Sequence, residues 1–236
     1  MILSNPPEFE NQSSNSESSA ETDFQGLQST LQRYQIQLPE SSVRQLAAYC
    51  RLLWDWNTRI NLTRHTDWDL FVTRDLLDTL QLEKHVPQAA ALMDIGSGGG
   101  VPGIPLAILR PDLTICLCDS VGKKATVLKD IVTALKLPIP VHAERAEVVL
   151  RRQKFQLVTA RAVASIDKLM SWLKPVWLSV GHVLLIKGPR WTEELTEARA
   201  EGLNKKFEVS EIAAWNTPGR DHQSVLLRIA KAKSAS

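Results

Sequence analysis

The chain has 236 residues, 44% of them hydrophobic, which is ordinary for a globular protein and enough for one sizeable domain with an extension. No apolar run reaches the ~18 residues of a membrane span, and the N-terminus lacks the basic start and apolar core of a secretory signal, so a cytoplasmic protein is expected. The net charge of +2 hides an asymmetry: residues 1–26 carry five acids and no Lys or Arg, leaving the remainder with 28 bases against 21 acids, a balance that suits a polyanionic partner.

Residues 1–26 are rich in Ser, Asn, Glu and Gln and read as a disordered acidic tail, because they offer few large apolar side chains to offset ordering. Residues 27–88 read as an N-terminal helical segment. After Pro39 and the cap candidates Ser41 and Ser42, the residues Val43, Leu46, Ala47, Cys50, Leu53 and Trp54 form one helical stripe. The stretch 57–63 interrupts the pattern, a second helix is expected over 67–85, and Pro87 closes the segment.

From Ala89 short apolar runs alternate with helical stretches. Strands are predicted at 90–95, 113–118, 139–143, 156–162, 181–187, 207–212 and 224–229. Helices are predicted at 104–109, 123–135, 144–152, after a Ser165 cap, and at 192–203. Alternating βα units imply an α/β fold with a mostly parallel sheet and helices on both faces, here over 89–232. The last two strands, joined through Thr217-Pro218-Gly219, predict one antiparallel strand in a seven-stranded sheet. Cys50, Cys116 and Cys118 are odd in number, and Cys116-x-Cys118 has no second Cys/His pair nearby. They read as reduced core thiols, and no metal is expected.

The glycine-rich run Asp94-Ile-Gly-Ser-Gly-Gly-Gly-Val-Pro-Gly103 follows the first strand. Gly98 to Gly103 matches the dinucleotide pattern GxGxxG, which alone is weak. The overlapping Asp94-x-Gly96-x-Gly98-x-Gly100 fits the loop of Rossmann-like class I methyltransferases. A dinucleotide sets its pyrophosphate at such a loop, where Asp94 is unfavourable. S-adenosylmethionine carries a sulfonium and an ammonium, so an acid there favours it. The next strand ends in Asp119, 19 residues after Gly100, where a carboxylate accepts from both ribose hydroxyls. The alternative role for Asp119 is a cap on the following helix. Ala146 and Glu147, after the third strand, sit where such folds supply adenine contacts, with an ordinary helix-start acid as the alternative role for Glu147.

Asp94-Ile-Gly-Ser-Gly-Gly-Gly-Val-Pro-Gly-Ile-Pro105, Asp119-Ser-Val-Gly-Lys-Lys124, Thr159-Ala-Arg-Ala-Val163 and Trp56-Asn-x-x-x-Asn61-Leu-Thr63 together resemble the bacterial 16S rRNA guanine-N7 methyltransferases, the RsmG family formerly called GidB. The resemblance covers about residues 40–230. It implies methylation of a guanosine N7 in the 530 loop of 16S rRNA, with 16S rRNA or the small ribosomal subunit as partner and S-adenosyl-L-methionine as cofactor. A monomer is expected. Cofactor contacts are implied at Gly96, Val101, Asp119, Ser120, Val121, Ala146, Glu147 and Arg161. One departure is visible: where the family often shows Arg-His-x-x-Asp-Ser, this chain reads Arg74-Asp75-Leu-Leu-Asp78-Thr79.

Guanine N7 carries an in-plane lone pair and no proton, so positioning suffices and no general base is required. Arg161, at the end of the fourth strand, is expected to hold the methionine carboxylate or the target nucleotide, with a structural ion pair as the alternative. Asp94 is expected to ease formation of the cationic product. His65, His85, His142, His182 and His222 show no relay spacing and read as surface or turn residues. RNA contacts are expected from Lys123, Lys124, Arg145, Lys187, Arg190 and Arg220, with Arg151 and Arg152 as further candidates and Lys187 ranked first. The tryptophans read as packing residues, with Trp191 the one candidate for base stacking. Competing readings are an NAD-dependent oxidoreductase, a non-catalytic RNA-binding ribosome-assembly protein and a small-molecule methyltransferase.

Overall fold

The computed structural model describes residues 11–202 and 206–232. Helices α1 (Asn11–Arg33) and α2 (Glu40–Asn57) come first. A short helix α3 (Trp68–Leu70) then runs through a π-helical turn (Phe71–Leu76) into α4 (Leu77–Glu83). The α/β part alternates β1 (Ala91–Ile95), α5 (Gly103–Leu109), β2 (Thr114–Cys118), α6 (Gly122–Ala134), β3 (Val141–His142), α7 (Ala146–Arg152) and β4 (Phe155–Arg161). It continues with α8 (Ile166–Leu173), β5 (Val180–Lys187), α9 (Trp191–Ala200), β6 (Phe207–Asn216) and β7 (Gln223–Lys231). The order across the sheet is β3-β2-β1-β4-β5-β7-β6. β7 is antiparallel to both neighbours and the other pairings are parallel, as the sequence predicts.

Side-chain alternation along the strands builds two cores. Leu92, Leu117, Leu157, Leu184 and Leu226 face the N-terminal helices, α5 and α6. Met93, Cys116, Val158, Leu185 and Leu227 face α7, α8 and α9. This period of two is what a sheet covered on both faces requires. The N-terminal helices share the first of these cores. Burial lifts the Cys116 and Cys118 thiols to a pKa of about 12, which suits packing residues.

Several boundaries differ from expectation. The disordered-tail expectation fails over 11–26, where α1 is already helical; residues 1–10 lie outside the described residues. Phe24, Leu27, Leu31 and Tyr34 recur at helical spacing, and Leu27 and Leu31 are fully buried. Each such leucine contributes about 2 kcal/mol, and a helix held there propagates towards its N-terminus. The acids of this segment meet bases on α2: Glu21 pairs with Arg44 at 2.9 Å and Asp23 with Arg51 at 3.6 Å. Ser41 and Ser42 do not cap α2, because Pro39 with φ −56° opens the helix ahead of them. Asp67 does cap the next helix, its Oδ1 accepting from Leu70 N at 2.7 Å. Among the described residues, no helix is long and apolar enough to cross a membrane.

Candidate active site

The glycine loop is fixed from three directions. Gly96 N and Ser97 N donate to Cys118 O at the end of β2, at 2.8 and 3.2 Å. Gly98 N donates to Asp119 Oδ2 at 2.9 Å, while Asp119 Oδ1 accepts from Val121 N at 2.8 Å. Asp119 therefore ties the first two βα loops together and also heads α6. From the helical side, Tyr49 Oη donates to Gly99 O at 2.8 Å. Gly96 has φ +64°, and a Cβ there would lie 2.7 Å from Val163 Cγ2. At Gly98 a Cβ would meet nothing closer than Gly96 O at 3.8 Å, so a side chain would project into the open cavity.

Two cavities open along this strand edge, the expected ligand position in an open α/β sheet. The smaller, about 340 Å³, is lined by Gly96, Asp119, Ser120, Val121, Ala146 and Glu147, together with Trp172. The larger, about 650 Å³, contains Val101 and Arg161, with Arg74, Lys124, Lys187 and Arg220 as its other cations. Gly96, Lys124, Ala162 and Val163 line both. All the expected cofactor residues thus border this one composite cleft.

Arg161 is placed differently from expectation. Its Nη2 donates to Asp75 Oδ1 at 2.6 Å and its Nη1 to Asp78 Oδ2 at 3.1 Å. Burial opposes its charge most, yet Asp75 and Asp78 outweigh it and raise the Arg161 pKa. Asp75 is 1% exposed and also bonds His65 Nδ1 at 2.8 Å. Burial pushes the Asp75 carboxyl up, but Arg161 and His65 bring it below the ordinary range. Asp78 is raised by burial despite Arg161 and a hydrogen bond from Trp215 Nε1 at 3.1 Å. Arg161 therefore joins β4 to the π-helical turn and α4, the structural ion pair that was the alternative.

The expectation that His65 is a plain turn residue is corrected by this network. His65, ten residues before Asp75 in the chain, bonds the aspartate at that position. Asn57 Oδ1 accepts from Leu62 N and Thr63 N at 2.8 and 2.9 Å, and Trp54 Nε1 donates to His65 O at 2.7 Å. These bonds press the loop 58–66 over the cavity. Asn57 carries a signal in the Trp-Asn motif and Arg74 in the Arg-Asp-x-x-Asp stretch. His65 and Tyr49 carry none, and Trp172, expected only to pack, lines the smaller cavity.

Asp94 is 1% exposed and lines neither cavity, so it does not face a bound base. It shares the β1 face of Leu92, which points at α5, and its Oδ1 accepts from Thr159 Oγ1 at 2.9 Å. Burial lifts its pKa to about 7, so Asp94 does not carry the charge argument that favoured a sulfonium over a pyrophosphate, and Asp119, which suits the ribose of either ligand, does not replace it. Lys187 is 8% exposed and its Nζ donates to Ala164 O at 2.5 Å and Glu194 Oε2 at 2.6 Å. It braces the loop after β4 and is not a surface RNA contact. Lys123, Arg145, Arg151, Arg152, Arg190 and Arg220 are exposed. Arg145 pairs with Glu147, Arg152 with Glu144 and Arg190 with Glu193. Trp191 packs on the second core and lines neither cavity.

The fold resembles solved methyltransferases at low identity. An O-methyltransferase of Bacillus cereus in complex with S-adenosylhomocysteine aligns with TM-score 0.55 and 13% identity, over 78% of this chain and 91% of that one. M. capricolum TrmK in complex with the same molecule aligns with TM-score 0.52 and 15% identity, over 66% and 68%. At the sequence level, the ribosomal RNA small subunit methyltransferase G of Rhodopirellula baltica is 46% identical over 80% of this chain and 82% of its own length. Its namesake from Roseiflexus sp. is 37% identical over 85% and 88%. The GidB family model, described as rRNA small subunit methyltransferase G, matches residues 42–224. On that match, and on relatives similar along most of their length, the chain belongs to the small-subunit rRNA methyltransferase G family.

Proposed function

We propose that the protein transfers a methyl group from S-adenosylmethionine to N7 of a guanosine in the 530 loop of 16S small-subunit rRNA. The observation that carries this reading is the pair of cavities meeting across Gly96, Lys124, Ala162 and Val163. One carries the acid suited to a ribose; the other is cationic and opens to solvent. The family's name supports the small-subunit RNA as substrate class, and the motif resemblance supports guanine N7.

The residues present fit the cofactor. The Asp119 carboxylate uses one lone pair on each oxygen for the loop, leaving the others for two hydroxyls. The missing Cβ at Gly98 leaves room for close approach to the loop. Val121, 49% exposed, and Ala146 offer apolar surface beside Asp119. When bound, S-adenosylmethionine supplies an electrophilic methyl carbon whose transfer to the N7 lone pair needs no proton acceptor. The protein's own part is then positioning. Asp119 and the glycine loop hold one reactant. The Arg161–Asp75–His65 network holds the wall against which the base sits. Cations lining the cleft, Lys124, Arg145 and Arg220 among them, draw the RNA backbone to the rim, with the exposed Lys123 and Arg190 adding to the positive field.

Titration with S-adenosylhomocysteine tests the cofactor half. The wild type binds it at micromolar concentration in the predicted case, and Asp119→Ala weakens binding at least ten-fold. No binding at sub-millimolar ligand would refute the reading.

A further inference from the structure

We propose that Arg74 and Arg220 form an oxyanion subsite on the wall of the larger cavity, which holds a backbone phosphate of the RNA beside the methylated nucleotide. The inference rests on the reading of that cavity as the RNA site. Among the cations lining it, Arg161 is bound to Asp75 and Asp78, and Lys187 to Glu194. Arg74, Arg220 and Lys124 make no ion pair among the described residues. Arg74 Nη1 is buried and makes no hydrogen bond among them. A buried guanidinium N–H left unpaired is costly, and native structures rarely keep one without a ligand to satisfy it.

The sequence places the second arginine beside the first. Thr217-Pro218-Gly219-Arg220 folds as a tight turn, with Arg220 N donating to Thr217 O at 3.0 Å and Gly219 at φ +71°. A Cβ built on Gly219 would lie 4.0 Å from Arg74 Nη2, so the turn lies over the Arg74 side chain. Burial, and after it the charge of Arg220, push the Arg74 pKa down against the opposing pull of the Asp78 carboxylate and Tyr34, so the two guanidinium groups face each other closely enough to repel. Thr217 and Ser224, whose hydroxyls are 3.3 Å apart, line the same wall. Two forked cation donors with two hydroxyls are the chemistry that recognises a tetrahedral oxyanion. The methionine carboxylate is the other anion in reach of this cleft. Arg220 is exposed on a turn at the cavity's rim, which favours a polymer passing outside over a small ligand seated within.

The test uses the full chain with small ribosomal subunits that lack the methyl group. Filter binding over a series of salt concentrations is compared for wild type, Arg74→Gln, Arg220→Gln and the double variant. Titration with S-adenosylhomocysteine runs in parallel. Each single variant is expected to weaken subunit binding about ten-fold and to lower the salt slope by about 1, with the S-adenosylhomocysteine affinity unchanged. Unchanged subunit affinity and slope in the double variant would overturn the proposal. Weakened S-adenosylhomocysteine binding with intact subunit binding would also overturn it, and would give the arginines to the carboxylate. Arg220 is exposed, so Arg220→Gln carries the test alone if Arg74→Gln does not fold. Binding is read without methyl transfer, so a methyl found on another atom refutes the reaction proposed above and not this subsite.

Discussion

Replacing Asp94 by asparagine isolates a buried charge. Asp94 is 1% exposed, one carboxylate oxygen accepts from Thr159 Oγ1, and the other, Oδ2, has no hydrogen-bond partner among the described residues. Burial, only partly offset by Ser97, Thr159 and Arg161, lifts its pKa from 3.8 to about 7. A carboxyl raised on folding favours the folded state below its unfolded pKa, and that favour is lost as pH rises through the folded value. A tenfold change in proton affinity between the unfolded and folded states is worth about 1.36 kcal/mol, so the full loss is about 4 kcal/mol. Between pH 5 and pH 8 the decline acts over about two pH units, or about 3 kcal/mol. Urea unfolding of wild type and Asp94→Asn across that range reads it as a difference, in which groups common to both proteins cancel. The wild type loses about 3 kcal/mol relative to the variant. Parallel stability curves would refute the argument that burial raises the Asp94 pKa.

Three further variants probe the same framework. Asp75→Asn removes a buried partner of Arg161 and His65 and is expected to cost about 3 kcal/mol at pH 7 in urea unfolding. Because the Asp75 pKa is depressed, that difference shrinks only as pH falls below the ordinary carboxylate range; a loss under about 1 kcal/mol would contradict the network. Gly96→Ala combines φ +64° with a Cβ 2.7 Å from Val163 Cγ2, so S-adenosylhomocysteine affinity is expected to drop at least ten-fold, and an unchanged titration would count against the loop's role. Tyr49→Phe leaves Gly99 O without its donor and is expected to cost about 1 kcal/mol and several-fold in cofactor affinity, read by the same two assays.

What the sequence reveals follows from the range of each interaction. Strand alternation, the glycine loop and Asp119 are local patterns; the seven strands form near the predicted positions, and the loop and Asp119 border the composite cleft. The N-terminal helix is hidden in the sequence because its apolar positions, Phe24 to Tyr34, begin only where the polar run 11–23 ends. Its acids look solvated there because their partners, Arg44 and Arg51, lie on another helix. Arg161 reaches Asp75 and Asp78 across more than 80 residues, so its ion pairs have no sequence signal. Lys187 sits at the right strand end, but only the fold shows Glu194 closing on it. Asp94 belongs to the right motif and the wrong face, because the pleat turns it towards α5.

The central claim is the reaction at guanine N7, and locating the transferred methyl tests it most directly. Wild-type protein is incubated with methyl-labelled S-adenosylmethionine and small ribosomal subunits lacking the modification, and the labelled nucleotide is then identified. The account predicts label on N7 of one guanosine in the 530 loop. Label on another atom or another loop, or none transferred by protein that binds both ligands, would contradict it.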